Sequence, residues 1–209
     1  MATIDFDEVT GKLTINGSST VDRIKIKKKA NGKVLIKITS PNKKSVKTVS
    51  ELIDEVDINS IEVNAGAGDD RIIVDGNLDP RITGNYMGGD GDDRIVCGPG
   101  NDVARGGKGN DRIRGKEGDD DLYGDENDDD LDGDEGEDDL FGGDGDDDLD
   151  GDDGNDDMDG EDGDDDLTGG EGDDDDLDDD ENDDFDDDDE NDDGDDDGDD
   201  NDDDNDNDD

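Results

Sequence analysis

The sequence has no histidine, no tryptophan, a single cysteine and only 2% aromatic residues. Without histidine the chain has no imidazole base, no histidine-based catalytic triad and no zinc site that uses histidine. Because Cys97 is alone, the chain cannot form an internal disulfide or a cysteine cluster. Only 23% of the 209 residues are hydrophobic, too few for an ordinary buried core throughout. The chemistry that remains is chiefly that of carboxylates.

Basic residues are also absent from much of the chain, since none follows Lys116. Residues 1–87 carry 13 Lys or Arg and 13 Asp or Glu, so their net charge is zero. The whole formal charge of −58 therefore resides in residues 88–209. So complete an asymmetry predicts two differently built regions.

The sequence contains no long hydrophobic run. Its opening, MATIDFDEVTGKLTING, has no apolar stretch typical of a cleaved signal peptide. No later segment has the length of apolar sequence that a transmembrane helix needs. We therefore expect neither a visible signal peptide nor a membrane span.

Residues 1–87 have the pattern of β-structure. Apolar residues alternate with polar ones at residues 4–6, 13–15 and 24–26, which predicts short strands. The Ala30-Asn31-Gly32 segment predicts a hairpin, because Asn-Gly tolerates positive φ at both central positions of a tight turn. We expect residues 1–87 to form an irregular β region that acts as a degenerate solenoid cap, without chemistry of its own.

The second half is organised by a nine-residue repeat that begins at Gly88. Successive units read GGDGDDRIV, CGPGNDVAR, GGKGNDRIR, GKEGDDDLY and onward in phase. In an Asp-rich tract the aspartates alone prove little, so the apolar residues are the better test. Ten large apolar residues follow Lys116; seven lie at the eighth position of a repeat and three at the ninth. A charged tract without a fold has no reason to keep this phase.

The same template reaches back into the first half of the chain. GSSTVDRI at residues 17–24 and AGAGDDRI at residues 65–72 both have Asp at the sixth position and Ile at the eighth. The triplet Asp-Arg-Ile recurs, beginning at Asp22, Asp70, Asp93 and Asp111. We infer that the first half is a degenerate version of the same architecture.

The repeat matches GGxGxDxUx, where U is a large apolar residue, and so resembles the repeats-in-toxin (RTX, hemolysin-type) calcium-binding nonapeptide. The resemblance implies a turn of six residues and a strand of three, with two repeats in each coil. It also implies calcium ions between adjacent turns, held by turn carbonyls and by the sixth-position carboxylates. By resemblance, these carboxylates are Asp93, Asp102, Asp111, Asp120, Asp129, Asp138, Asp147, Asp156, Asp165 and Asp174.

Elementary chemistry favours the same ligand. Ca²⁺ takes six to eight oxygen ligands and mixes carboxylates with backbone carbonyls. Glycine at the first, second and fourth positions permits positive φ, which would turn carbonyls inward. Stacked carboxylates repel one another without an ion, so we expect calcium binding to supply the free energy of folding. Several repeats lack these glycines, which predicts weaker or strained turns there.

Other interpretations compete with the calcium repeat. The main alternative is a disordered polyacidic protein acting as a mineral-binding or charge-mimicking surface. The high negative charge favours this alternative, whereas the regular position of the apolar residues within the repeats argues against it. EF-hand-like spacing at residues 128–133 lacks the twelfth-position Glu and flanking helical periodicity. No nucleotide-binding or nucleophile motif is present, so we do not expect an enzyme.

The sequence thus predicts an all-β chain with three regions. Residues 1–87 form the irregular N-terminal β region, residues 88–186 a calcium-binding parallel β-roll (a β-solenoid), and residues 187–209 a disordered acidic tail. We expect a secreted or cell-surface, structural module that binds calcium ions, is monomeric and has no nucleic-acid partner.

Overall fold

The chain forms short strands separated by tight turns. A computed structural model describes residues 2–39, 49–54, 57–172 and 175–177. Asp174 and the predicted acidic tail therefore lie outside the described residues. The described strands are β1 (Thr3–Asp7), β2 (Lys12–Ser18), β3 (Arg23–Lys28), β4 (Lys33–Thr39), β5 (Val49–Asp54), β6 (Ser60–Ala67), β7 (Arg71–Val74), β8 (Thr83–Asp90), β9 (Arg94–Val96), β10 (Val103–Lys108), β11 (Arg112–Glu117), β12 (Asp121–Glu126), β13 (Asp130–Glu135), β14 (Asp139–Asp144), β15 (Asp148–Asp150), β16 (Asp157–Asp162), β17 (Asp166–Thr168) and β18 (Asp175–Leu177).

The strands build two facing sheets. The first sheet has the order β1-β2-β6-β8-β10-β12-β14-β16-β18, and the second has the order β17-β15-β13-β11-β9-β7-β3-β4-β5. From β8 onward the chain alternates between the sheets, and each strand pairs in parallel with the next strand of its own sheet. Leu122 lies opposite Leu140, so one coil contains two nine-residue repeats. This arrangement confirms the predicted all-β parallel roll.

Three antiparallel pairings close the N-terminal end of the roll. In the first sheet, β1 pairs antiparallel with β2. In the second sheet, β4 pairs antiparallel with both β3 and β5. The turn between β3 and β4 contains Ala30-Asn31-Gly32, with Gly32 at φ +76°, so the predicted hairpin is confirmed. These strands cover the first coil, whose backbone groups would otherwise form an open sheet edge.

A narrow apolar core lies between the sheets. In the repeats it consists mainly of the eighth-position side chains, such as Ile113, Leu131 and Leu149. Those from Ile95 to Met158 are at most 1% exposed, and Leu167 is partly buried. In residues 1–87 the core is denser, because a single strand contributes two buried residues. Examples are Leu13 and Ile15 on β2, and Ile24 and Ile26 on β3. Apolar burial per residue is therefore greatest at the N-terminal end and small in each repeat.

The sheets continue across the predicted boundary between residues 87 and 88. Strand β8 (Thr83–Asp90) crosses this boundary and pairs with β6 before it and β10 after it. The division into two regions therefore follows charge and repeat pattern, and does not follow a break in the sheets. In the part of the chain that the structure describes, no helix is long and apolar enough to cross a lipid bilayer.

The turn glycines have two different roles. Most of those at the second and fourth repeat positions, such as Gly107 and Gly109, have positive φ as predicted, whereas Gly98, Gly100, Gly154 and Gly163 do not. The first-position glycines do not, so positive φ does not explain them and that part of the prediction is wrong. Where the second or fourth glycine is replaced, the new residue keeps the positive φ and is strained. These residues are Lys116, Asp125, Asp134, Asp152 and Glu161 at the second position and Asn127 at the fourth.

Lys116 offers a test of this strain, because its φ of +97° is the largest of the non-glycine values. We expect Lys116→Gly to stabilise the calcium-loaded chain by about 1 kcal/mol, measured from the shift in thermal unfolding midpoint. Lys108→Gly is the matched control, since Lys108 also forms one ion pair with an acidic residue but has no positive φ. The control should lower stability, and a loss of stability in both variants would contradict the strain at Lys116.

Candidate metal centre

The aspartates at the sixth repeat position form two buried columns along the edges of the roll. The tight turn after each strand directs these side chains inward, and each of the column residues is at most 6% exposed. One column contains Asp22, Asp70, Asp93, Asp111, Asp129, Asp147 and Asp165, and the other contains Asp102, Asp120, Asp138 and Asp156. The structure thus brings together nine of the ten predicted ligand residues.

One carboxylate oxygen of each aspartate joins successive coils. The backbone N–H of Asp111 donates to Oδ1 of Asp129 at 2.6 Å, and the N–H of Asp129 donates to Oδ1 of Asp147 at 2.7 Å. The second column repeats this bond from Asp102 to Asp120 and from Asp120 to Asp138, both at 2.7 Å. Each coil therefore binds the next one through a charge-assisted hydrogen bond.

In six of the repeat aspartates the other carboxylate oxygen has no such partner among the described residues. Six Oδ2 atoms of the repeat columns are buried and receive no hydrogen bond from the described residues. In the same part of the chain, no Lys or Arg forms an ion pair with these carboxylates. A buried anionic oxygen without a partner is costly, so its place in the structure needs an explanation. The six atoms belong to Asp93, Asp111, Asp120, Asp129, Asp138 and Asp147.

The first-position glycines leave room beside these oxygens. A Cβ added to Gly142 would lie 2.5 Å from Oδ2 of Asp147 and 2.7 Å from the carbonyl oxygen of Gly160. A Cβ on Gly133 would likewise lie 2.6 Å from Oδ2 of Asp138 and 2.8 Å from the Gly151 carbonyl oxygen. Two oxygens from adjacent coils thus converge beside each glycine Cα. Glycine is needed here because any side chain would fill that space.

Burial of these carboxyls raises their pKa above the ordinary value of 3.8. The pKa rises to about 9 for Asp120 and to about 8 for Asp129. Burial is the main cause, and neighbouring carboxylates of the same column add to it, whereas the backbone hydrogen bonds lower the pKa. Keeping the column carboxylates ionised therefore costs free energy, and a cation between the coils would offset this cost.

The donor set of the columns fits calcium. The converging atoms are carboxylate and carbonyl oxygens, which are the ligands Ca²⁺ prefers. The adjacent coils supply oxygens from both sides, and no nitrogen or sulfur donor lies among the atoms described above. The orphaned Oδ2 atoms and the space kept by the first-position glycines agree with this ligand.

Asp102 differs from the other predicted ligands. Its Oδ2 accepts a hydrogen bond from the N–H of Gly98 at 2.8 Å, and its carboxylate also contacts the Tyr86 hydroxyl. Cys97, fully buried, occupies the first position of this repeat in place of glycine. The N–H of Gly84 donates to Oδ1 of Asp102 at 2.5 Å, so both oxygens of this carboxylate already have protein partners.

The columns begin earlier than the predicted set of ligands. Asp70 is 4% exposed, its N–H donates to Oδ1 of Asp93 at 2.6 Å, and its own Oδ2 is buried without a hydrogen bond. Asp22 begins the column, but its Oδ2 accepts hydrogen bonds from the N–H and hydroxyl of Ser18. The recurring Asp-Arg-Ile triplet was the sequence signal that could have placed both residues in the site.

A separate acidic cluster lies outside the columns. The carboxylate oxygens of Asp132, Asp134 and Asp152 lie within 4.8 Å of one another. Arg114 pairs with Asp132 and Asp134, and Lys116 also contacts Asp134. These cations balance part of the charge, so the cluster belongs to an ion-pair network.

The raised pKa values predict that acid stabilises the calcium-free fold. A carboxyl whose pKa is raised on folding binds a proton more tightly in the folded state, so stability falls as pH rises from about 4 to about 9. We expect far-UV circular dichroism of the calcium-free chain to show more β-structure at about pH 5 than at about pH 9. Asp120→Asn plus Asp129→Asn should reduce this dependence, whereas Asp119→Asn plus Asp128→Asn, on exposed neighbours, should preserve it. If both pairs of substitutions reduced the pH dependence equally, the buried column carboxyls would not be its source.

Comparison with known proteins gives one match. A family model described as the RTX calcium-binding nonapeptide repeat matches four overlapping segments, residues 87–122, 105–140, 123–158 and 141–175. These segments include the aspartate columns from Asp93 to Asp165. Searches of the curated proteins and of the solved structures found no match to this chain.

Proposed function

Because residues 87–175 are RTX calcium-binding nonapeptide repeats, we propose that this chain binds calcium ions along its aspartate columns and folds its roll on binding them. The observation that carries the proposal is the row of buried Oδ2 atoms that lack hydrogen-bond donors and face carbonyl oxygens of the next coil. Calcium supplies the positive charge that these oxygens require. The proteins of this repeat family share calcium binding as their common property.

The ligand set follows from the state of each carboxylate. Asp93, Asp111, Asp120, Asp129, Asp138 and Asp147 each offer a buried Oδ2, and Asp156 and Asp165 continue the columns. We add Asp70, which has the same bonding pattern although it precedes the family match. Asp102 is the weakest of the predicted ligands, because both its oxygens have protein partners. Asp174 lies outside the described residues and stays a prediction.

The thin core explains why folding would depend on the ion. Each repeat buries about one large apolar side chain, a gain smaller than the conformational entropy lost by nine ordered residues. The columns also place like charges at the spacing of adjacent strands, roughly 4.8 Å apart. Binding free energy at sites that do not exist in the unfolded chain becomes folding free energy. The denser core of residues 1–87 would give the first coils a folded partner to build on.

We further propose a structural role outside the cell or at its surface. Extracellular calcium modules bind at roughly 10⁻⁴ to 10⁻³ M, so such sites would be empty in cytosol and filled outside. The carboxylates lie in a regular repeat and not in an isolated cleft, which favours a structural role over catalysis. The roll would then be a rigid, calcium-dependent scaffold.

A calcium titration followed by far-UV circular dichroism tests the proposal. We expect a cooperative increase in β-structure with calcium at up to about 10 mM, and little change with magnesium, which prefers six ligands in octahedral geometry. A second half that gains no β-structure at about 10 mM calcium would sink the proposal and favour the polyacidic surface.

Variants at two adjacent positions locate the ligands. Asp129→Asn plus Asp147→Asn keeps Oδ1 as an acceptor for the backbone but removes two carboxylates, so we expect the calcium midpoint to rise about tenfold or more. Replacing the same two residues by Ala also removes the inter-coil hydrogen bonds and should abolish the transition. The matched control, Asp128→Asn plus Asp146→Asn, changes two exposed neighbours and should leave the midpoint within about twofold. Equal effects in the test and control pairs would show that bulk charge, and not the columns, binds the ion.

A further inference from the structure

The outer face of the second sheet carries a row of charges at the seventh repeat position that changes sign once. The row consists of the residues that directly follow the aspartates of the column from Asp22 to Asp165. The strand registers place these residues side by side. Four arginines occupy the N-terminal half and three aspartates the C-terminal half. In spatial order the row is Arg23, Arg71, Arg94, Arg112, Asp130, Asp148 and Asp166.

Within the part of the chain that the structure describes, most of these charges form no ion pair with a residue of opposite sign. Arg112 pairs with Asp130 where the two halves of the row meet. Nε of Arg94 is buried without a hydrogen-bond acceptor, and no carboxylate of the described residues forms an ion pair with Arg71. Like charges on directly opposed strand positions destabilise a sheet. In a chain with 77 acidic residues, arginines without carboxylates are a feature that folding alone does not explain.

The order of signs makes the row complementary to a second copy of itself. Consider two copies placed face to face, with a two-fold axis parallel to the strands and between β11 and β13. Arg112 then faces Asp130 of the other copy, Arg94 faces Asp148, and Arg71 faces Asp166. A two-fold interface requires such a self-complementary surface.

In place of the monomer expected from the sequence, we propose that this face of the second sheet is a dimerisation surface whose occupant is the same face of a second copy of this chain. The parallel row of ninth-position residues is compatible with this pairing. There Arg114 would face Asp132, and the uncharged, half-buried Val96 and Ile73 would face Asp150 and Thr168. No like charges meet in either row.

The arrangement also limits repulsion between two highly acidic chains. The two-fold axis places the acidic repeats of each copy over the cationic strands of the other, so their acidic ends lie apart. A long polyanion is a poorer occupant, because Asp130, Asp148 and Asp166 on the same face would repel it. Seven strands at about 4.8 Å spacing give a face roughly 30 Å long but only two residues wide, which is at the weak end of specific interfaces.

Charge reversal at one predicted pair tests both the dimer and its register. In sedimentation equilibrium at about 10 mM calcium and protein up to about 1 mM, we expect the full wild-type chain to dimerise. Arg94→Asp and Asp148→Arg should each raise the dissociation constant about tenfold or more, since each opposes like charges. A one-to-one mixture of the two variants should dimerise again, because every reversed residue then faces its complement.

The control reverses a matched charge on the opposite face. Asp139→Arg changes a seventh-position aspartate of the first sheet and should leave dimerisation unchanged. Circular dichroism of the same samples shows whether each variant is folded. A folded wild-type chain that stays monomeric overturns the proposal. A one-to-one mixture of Arg94→Asp and Asp148→Arg that does not dimerise overturns it as well. A chain that stays unfolded at this calcium concentration overturns both this proposal and calcium-driven folding.

Discussion

Stacking of buried carboxylates at the spacing of adjacent strands is the constraint on which the rest of the structure depends. The column aspartates use one oxygen to bind the backbone of the preceding coil, and most present the other to a space kept open by glycine. The first oxygen fixes the register of the coils, and the second creates the demand for a cation. The same side chain therefore fixes the register of the coils and creates the demand for a cation, and removing its charge affects both.

The two ends of the roll meet this constraint differently. At the N-terminal end, Ser18 supplies hydrogen bonds to Asp22, and paired apolar residues such as Leu13 and Ile15 form a dense core. Further along, the position of Ser18 holds glycine, as at Gly107, or a charged residue, as at Lys116, and each repeat contributes about one core residue. Apolar packing therefore decreases along the chain as negative charge accumulates, and under the proposed function ion binding would supply the stability that packing no longer provides.

Much of the fold could be predicted from the nine-residue period, because the phase of residues such as Leu131 and Leu149 identifies the core positions. The sixth-position aspartates followed from the same period. The role of the first-position glycine could not be predicted, since it depends on an approach between coils eighteen residues apart. The Asp-Arg-Ile triplet shows that Arg23, Arg71 and Arg94 each follow a column aspartate, but their side-by-side arrangement could not be predicted, because loops of unequal length separate them and only the strand register aligns them.

The alternation of repeats between the sheets has a consequence for how such a chain can change in length. Each outward row joins residues eighteen apart, as in the stacked rings of Tyr123 and Phe141, whose centroids are 4.9 Å apart. Inserting or deleting eighteen residues leaves every later strand in its own sheet. Inserting or deleting nine keeps the core and the columns but moves every later strand to the opposite sheet, which exchanges the two outer surfaces. The unit that can be duplicated without changing the surface is therefore the coil, and not the repeat.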